Sequence, residues 1–209
     1  MAQKDVGNKI PIYKLKTTDE VMKYYDEWGI KNKYDQDMID WNYTGPKETV
    51  ATFIKYAQDK NIKILDAGCG TGLVGIELKK HNYLNIDGMD LSKKLLDLVP
   101  QGYYQNLDQV DLNKPIKVKS DTYDAIMCVG TFTFGHVKPH ALDEFIRISK
   151  NKSLICFTIN EGIYEEYGFD KKIDELKKNK SWNVKQFFKS NYISSKDVNA
   201  WLCLAEVIK

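Results

Sequence analysis

The stretch that decides the fold is "IKILDAGCGTGLVGIELKK", from Ile62 to Lys80. It starts with a short apolar run, passes three glycines at alternate positions (Gly68, Gly70 and Gly72), and continues with the periodicity of a helix. Glycine tolerates positive φ and lets a ligand lie against bare backbone. The N-terminus of the following helix presents unpaired N–H groups. The stretch therefore predicts a strand, a ligand-binding loop and a helix in succession.

Composition sets limits on the protein class. The 209 residues carry 31 basic and 29 acidic side chains, a net charge of +2, which argues against a nucleic-acid partner. No apolar run approaches the roughly 18 residues that span a bilayer, so no membrane partner is expected. The cysteines at 69, 128, 156 and 203 lack CxxC or Cys/His spacing, and Cys128, Cys156 and Cys203, which stand in apolar runs, are predicted to be buried reduced thiols. We expect a cytoplasmic monomer or dimer without a metal.

Strand-like and helix-like runs alternate after residue 62, which predicts an α/β fold with a mostly parallel sheet and helices on both faces. The strand candidates are "IKILDAG", "LNIDGMD", "YDAIMCVG", "KSLICFTI" and a weaker one near 102–106. The runs "SWNVKQFFKS" and "NAWLCLAEVIK" predict a closing antiparallel pair. Residues 1–45 are predicted as a helical lid segment and 46–209 as the main domain, with one further lid helix over 160–180.

Three acids decide between ligand classes. Asp90 follows the second strand, where a carboxylate can accept hydrogen bonds from ribose hydroxyls. Asp111 follows the third strand region and can accept from an adenine amino group. Dinucleotide sites use the spacing GxGxxG, but Leu73 stands at the third glycine position, and Asp66 would repel a pyrophosphate. An acid there suits an ammonium group, which S-adenosylmethionine carries. The pattern favours S-adenosylmethionine over a dinucleotide.

The motifs "ILDAGCGTGLVGIEL", "GMDLS", "DL" at 111–112 and "YDAIMCVGTF" resemble those of class I S-adenosylmethionine-dependent methyltransferases, from about Lys47 onward. Together with "YDEWGIKNKYDQDMIDWNYTGPKETV" and "VGTFTFGHV", they are most similar to the methyltransferase-like proteins of the Williams–Beuren syndrome chromosome region 27 type. The resemblance implies a Rossmann-like sheet of seven strands, one of them reversed. It also implies S-adenosylmethionine as cofactor and S-adenosylhomocysteine as product.

The resemblance further implies which residues bind the cofactor. Asp66 and the loop through Gly72 would hold the methionine end, Asp90 the ribose, and Asp111 the adenine, while Val129 would lie beside the sulfonium. Tyr34 would close over the methionine, although Tyr24, Tyr25, Trp28, Trp41 and Tyr43 crowd the same segment. The complete predicted set is Tyr34, Asp66, Ala67, Gly68, Cys69, Gly70, Gly72, Asp90, Leu91, Asp111, Leu112 and Val129.

Methyl transfer needs alignment of donor and acceptor, and it needs a base only where the acceptor keeps a proton. His136 follows the fourth strand and is the candidate catalytic base, although a structural loop histidine remains an alternative. Near-neutral charge and a loop without an Asn/Asp-Pro-Pro-aromatic motif favour a small-molecule acceptor. The alternatives are a non-catalytic S-adenosylmethionine-binding module and a hydrolase or lyase that degrades the cofactor.

Overall fold

One seven-stranded sheet forms the centre of the computed structural model, which describes residues 9–15, 17–30 and 33–209. The first three strands along the chain are short, and the four that follow are longer. The strands are β1 (Ile64–Ala67), β2 (Ile86–Asp90), β3 (Asn106–Gln109), β4 (Tyr123–Phe132), β5 (Ser149–Asn160), β6 (Trp182–Ile193) and β7 (Val198–Val207).

The order across the sheet is β3-β2-β1-β4-β5-β7-β6. Neighbouring strands from β3 to β5 run parallel, and β7 runs antiparallel to both β5 and β6. The predicted sheet with one reversed strand and a C-terminal antiparallel pair is confirmed. The weak strand expected near 102–106 is displaced, because β3 begins only at Asn106 and pairs with β2 from there.

Helices cover both faces of the sheet. They are α1 (Thr18–Trp28), α2 (Lys33–Asp40), α3 (Gly45–Phe53), α4 (Leu73–Lys80), α5 (Lys93–Leu96), α6 (Ala141–Ile148) and α7 (Phe169–Lys178). The single helix expected over 160–180 is wrong in its first half, where residues 161–168 form turns. Gly168 has φ 78° and precedes α7. That left-handed residue interrupts any helix that began earlier.

Alternation along β4 directs successive side chains into two separate cores. Ile126 and Cys128 pack with α6 and α7 on one face, whereas Ala125, Met127 and Val129 pack with α3 and α4 on the other. This burial on both faces explains why the strand reads as a continuous apolar run. All four cysteines are buried free thiols, which the sequence predicts for Cys128, Cys156 and Cys203.

The amino-terminal segment packs as a third cluster across the carboxyl ends of the strands. Trp28 lies at its centre, with ring centroids of Tyr34 and Trp41 at 5.0 and 5.5 Å. Thr17 caps α1 through a reciprocal bond pair with Glu20, which resolves the choice between the two threonines at that helix start. The segment therefore lies over the edge of the sheet at which the glycine loop ends.

Candidate active site

A cleft of about 680 Å³, partly open to solvent, lies at the carboxyl ends of β1, β2 and β4. The chain runs outward from β1 to β3 and then returns to β4 on the other side, so the cleft sits where the strand order reverses. This is the usual ligand position in open α/β sheets. The amino-terminal segment supplies one wall of the cleft, through Val21, Met22, Tyr25 and Tyr34.

The glycine loop fits against β4 so closely that a side chain is excluded. Gly68 has φ 79°, and a Cβ placed there would come 2.0 Å from Thr131 Oγ1. Gly70 faces the cleft, where a Cβ would meet only Leu95 at 4.0 Å. Thr71 Oγ1 donates to Asp35 Oδ1 at 2.6 Å, which ties the loop to α2. The loop thus presents bare backbone to the cleft and is held from both sides.

Asp90 is fixed by backbone donors at the end of β2. Its Oδ2 accepts from the Gly70 N–H and its Oδ1 from the Ser92 N–H, both at 2.8 Å. Burial raises the pKa of Asp90, and these backbone hydrogen bonds lower it. Each carboxylate oxygen has a further lone pair, and Asp90 lines the cleft, so the group can also accept from two adjacent hydroxyl groups.

Asp111 lies across the cleft from the glycine loop. Its Oδ1 accepts from the Asn113 N–H at 3.0 Å, and its Oδ2 pairs with Lys114 at 3.2 Å. Leu91, Leu112 and Val110 line the cleft on the same side and supply apolar surface. This end of the cleft can therefore enclose a flat apolar ring and accept one hydrogen bond from it.

Asp66 lies behind the loop rather than in the cleft. It shares the face of β1 that Ile64 presents to α3 and α4, and its side chain is fully buried. Tyr104 Oη donates to Asp66 Oδ2 at 2.6 Å, while Oδ1 has no hydrogen-bond partner. Burial raises the pKa of Asp66 to about 7, although the bond from Tyr104 lowers it. Gly75 makes room for this tyrosine, since a Cβ there would lie 2.4 Å from its ring.

His136 lines the cleft, but both of its ring nitrogens are engaged. Nδ1 lies 2.5 Å from the Phe134 carbonyl, which can only accept, so Nδ1 carries the proton. Nε2 then accepts from the Tyr25 hydroxyl at 2.9 Å. Burial lowers the pKa of His136 to about 4. The neutral ring orders the cleft wall and is a weak base at neutral pH.

A second cavity of about 380 Å³ continues from the cleft. The two share Tyr25, Tyr34 and Gly130, so the junction lies at the end of β4. None of the described residues that line the second cavity is charged. Its lining is aromatic and aliphatic apart from Gly130 and Thr133: Ile10, Ile12, Tyr13, Tyr25, Trp28, Tyr34, Met38, Trp41, Tyr43, Tyr192 and Ile193.

Two tyrosine hydroxyls meet at this junction. Tyr43 Oη lies 3.3 Å from Tyr192 Oη, and a Cβ on Gly130 would lie 2.8 Å from the first and 3.1 Å from the second. Gly130 has φ 80°, and its N–H donates to Thr158 Oγ1 at 3.0 Å. The absence of a side chain at Gly130 therefore leaves both hydroxyls accessible from the place where the two cavities join.

Nine of the thirteen predicted site residues line the cleft, and four do not. Those in the cleft are Tyr34, Gly68, Gly70, Asp90, Leu91, Asp111, Leu112, Val129 and His136. Asp66, Ala67, Cys69 and Gly72 lie beneath it, and their contact with a cofactor stays a prediction. Sequence reasoning missed Tyr104, Tyr192 and Thr131, because no local motif marks side chains that only the folded sheet brings to the loop.

The described part of the chain contains no group of three or more His, Cys, Asp or Glu side chains placed to hold a metal ion. Within the same residues, no helix has both the length and the apolar character needed to cross a membrane.

Part of the chain is similar in sequence to known methyltransferases. Residues 64–152 match the family described as a methyltransferase domain. Methyltransferase-like protein 27 from Homo sapiens is 32% identical over 141 residues, which are 66% of this chain and 56% of that protein. EEF1A lysine methyltransferase 2 from Danio rerio is 30% identical over 109 residues, 47% of this chain and 46% of that one. The chain thus spans about half the length of these curated relatives.

Solved structures share the fold at low sequence identity. Magnesium protoporphyrin IX methyltransferase from Synechocystis PCC 6803, with bound S-adenosylmethionine, superposes with a TM-score of 0.68 at 15% identity, covering 92% of this chain and 98% of that one. A structure described as an S-adenosylmethionine-dependent methyltransferase from Listeria monocytogenes gives 0.58 at 14% identity, over 77% and 98%. S-adenosylmethionine is the cofactor of this group. The chain is similar in sequence to methyltransferase-like protein 27, and it shares its fold with solved S-adenosylmethionine-dependent methyltransferases.

Proposed function

We propose that this protein transfers a methyl group from S-adenosylmethionine to a small-molecule acceptor. The proposal rests on the second cavity, which opens from the cofactor cleft at Gly130. None of the described residues that line this cavity has a charged side chain. A cavity with apolar walls and a few polar groups suits a compact organic ligand. Bound S-adenosylmethionine supplies a methyl group on a positively charged sulfur.

The cleft residues fit the parts of the cofactor. Asp90 would accept from the two ribose hydroxyls, since both of its oxygens are already oriented by backbone N–H groups. Leu91 and Leu112 would enclose the adenine, and Asp111 would accept from its amino group. Gly68 and Gly70 would let the methionine end approach the backbone, with Asp66 supporting the loop from beneath through its bond with Tyr104.

We further propose that the amino-terminal segment acts as the lid predicted over residues 1–45. Val21, Met22, Tyr25 and Tyr34 support this, because they form one wall of the cleft. Positions 1–8, 16, 31 and 32 lie outside the described residues. The second predicted lid, 160–180, contributes no described residue to the cleft lining, and α7 instead buries Phe169 in the sheet core.

His136 would orient the cleft rather than remove a proton from the acceptor. Its Nε2 is occupied by the Tyr25 hydroxyl, and its lowered pKa makes it a poor base near neutrality. Rate enhancement would then come from alignment of donor and acceptor and from exclusion of water by the aromatic cluster. The cytoplasmic location stays part of the proposal and is supported by the four free buried thiols.

Methylation of a protein lysine is the second candidate. One relative is named as a lysine methyltransferase of EEF1A, and an aromatic cavity could also enclose the aliphatic part of a lysine side chain. Against this, a lysine arrives as an ammonium ion, and the described lining of the second cavity offers no carboxylate to receive it.

Labelled methyl groups separate these candidates. The protein is incubated with methyl-labelled S-adenosylmethionine and a cell extract, and the label is then divided into acid-precipitated protein and soluble small molecules. We expect soluble label that disappears with Asp90→Ala. Label confined to precipitated protein would establish the lysine candidate instead. Release of the methionine moiety without any acceptor would indicate a cofactor-degrading enzyme.

A further inference from the structure

The Tyr43–Tyr192 pair retains a hydroxyl proton for a ligand. Two hydroxyls carry two protons, and their mutual bond uses one. Thr158 Oγ1, next to Tyr192, already accepts from the Gly130 N–H. The second proton of the pair is then available to a ligand at the junction. Burial raises the pKa of both tyrosines, so they stay protonated at neutral pH. The pair offers a hydrogen-bond donor at the junction of the two cavities.

The charges around the junction determine which charge the acceptor can carry. The described lining of the second cavity has no charged side chain, so a charge that enters it must be balanced from elsewhere. On the proposed function, the positively charged sulfonium of the cofactor would be bound next to Gly130. It attracts an anion and repels an ammonium ion, and this interaction is strong where water is excluded.

The cavity also lacks a base that could ionise an acceptor. Among its described lining residues the titratable groups are tyrosines, which burial keeps protonated, as at Tyr13 and Tyr34. His136, across the junction, is held by two hydrogen bonds. An alkylammonium or a phenol, with pKa near 10, would arrive protonated and find no group to remove its proton. A carboxylic acid, with pKa near 4, arrives ionised.

We infer that the acceptor is an apolar small molecule whose reacting group is a carboxylate, and that Tyr43 and Tyr192 position it. This rests on the proposed function. A carboxylate can accept a hydrogen bond from the tyrosine hydroxyl with one oxygen and attack with the other, whereas an amine nitrogen has a single lone pair. The attacking oxygen forms a bond to the methyl carbon. The carbon–sulfur bond breaks with its electron pair left on sulfur. No proton moves, and the product is a methyl ester.

The test uses three probes that share one frame: phenylpropanoate, phenylpropylamine and propylphenol. Each is incubated with the full chain and methyl-labelled S-adenosylmethionine, in parallel with a deproteinised cell extract. Mild alkali releases an ester methyl as volatile methanol and leaves methyl groups on nitrogen or phenolic oxygen in place. We expect alkali-volatile label from phenylpropanoate and from the extract.

Variants test the positioning role. Tyr192→Phe and Tyr43→Phe should each lower kcat/KM for phenylpropanoate about tenfold, the scale of one hydrogen bond to a charged group, and leave the Kd of S-adenosylhomocysteine unchanged. The matched control is Tyr164→Phe, because the Tyr164 ring packs at a tilt of 40° against Trp201 and lines neither cavity. This control should retain full activity.

The remaining outcomes separate a failure of this inference from a failure of the proposed function. Alkali-stable label, label on the amine or phenol probe, or no transfer to phenylpropanoate by a protein that binds S-adenosylmethionine would refute the carboxylate acceptor alone. Full activity of both tyrosine variants would refute the positioning role. Failure to bind S-adenosylmethionine at all would refute the proposed function itself.

Discussion

The buried neutral state of His136 predicts how acid destabilises the protein. The pKa of this histidine is about 4 in the folded chain, against about 6.5 when unfolded. The unfolded chain therefore binds an extra proton between pH 6.5 and 4, and this lowers the free energy of unfolding as the pH falls through that window. Above pH 6.5 the histidine is neutral in both states and has no such effect.

The magnitude follows from the separation of the two pKa values. About 2.5 pH units at about 1.4 kcal/mol each give about 3.5 kcal/mol. Part of the His136 ring faces the cleft, so we expect about 2–3 kcal/mol. His136→Gln keeps a hydrogen-bonding side chain without a titratable group. The free-energy difference between wild type and variant should therefore fall by that amount between pH 7 and pH 4.

Urea unfolding at half-unit steps of pH, without cofactor, measures this difference directly. Subtracting the variant's free energy of unfolding from that of the wild type removes the contributions of the other titrating groups, because both proteins share them. A difference that stays constant from pH 7 to pH 4 would show that His136 is not held neutral by its surroundings. In that case a role as catalytic base would again be open.

Three further substitutions test the cleft and its support. Asp90→Asn should weaken S-adenosylmethionine binding about tenfold or more by calorimetry, whereas exposed Asp97→Asn should not. Gly68→Ala should cost about 2–4 kcal/mol in urea unfolding, since it adds a clash at 2.0 Å to backbone strain. Gly102 also has a positive φ, of 77°, but lies in open space, so Gly102→Ala should lower the free energy of unfolding by only about 1 kcal/mol. Wild type should lose about 4 kcal/mol of stability through Asp66 as the pH rises from 3.8 to 7, and Asp66→Asn should abolish this pH-dependent loss; equal pH profiles would contradict this.

The sheet was predictable because its strands are buried on both faces and read as apolar runs bounded by glycine and acid. β3 was misplaced since it is an exposed edge strand, "NLDQ", without an apolar signal. The helix over 160–180 was overextended because the charge pattern continues through residues that form turns. Only Gly168 marks the true start of α7.

The site was predictable where contacts are local to a strand end. Asp90 and Asp111 follow strands, and parallel strands bring their carboxyl ends together. The tyrosines that shape the second cavity were not assignable, because Tyr43 and Tyr192 are 149 positions apart in the chain. Tyr104 likewise reaches Asp66 only through the folded sheet. Strand alternation also turns Asp66 away from the cleft, a detail that a motif does not reveal.

A crystal structure with bound S-adenosylhomocysteine tests the placement of the cofactor directly. We expect the ribose on Asp90, the adenine between Leu91 and Leu112, and the sulfur at Gly130 facing the Tyr43–Tyr192 pair. A ligand with its sulfur directed away from the second cavity, or bound outside the cleft, would contradict it.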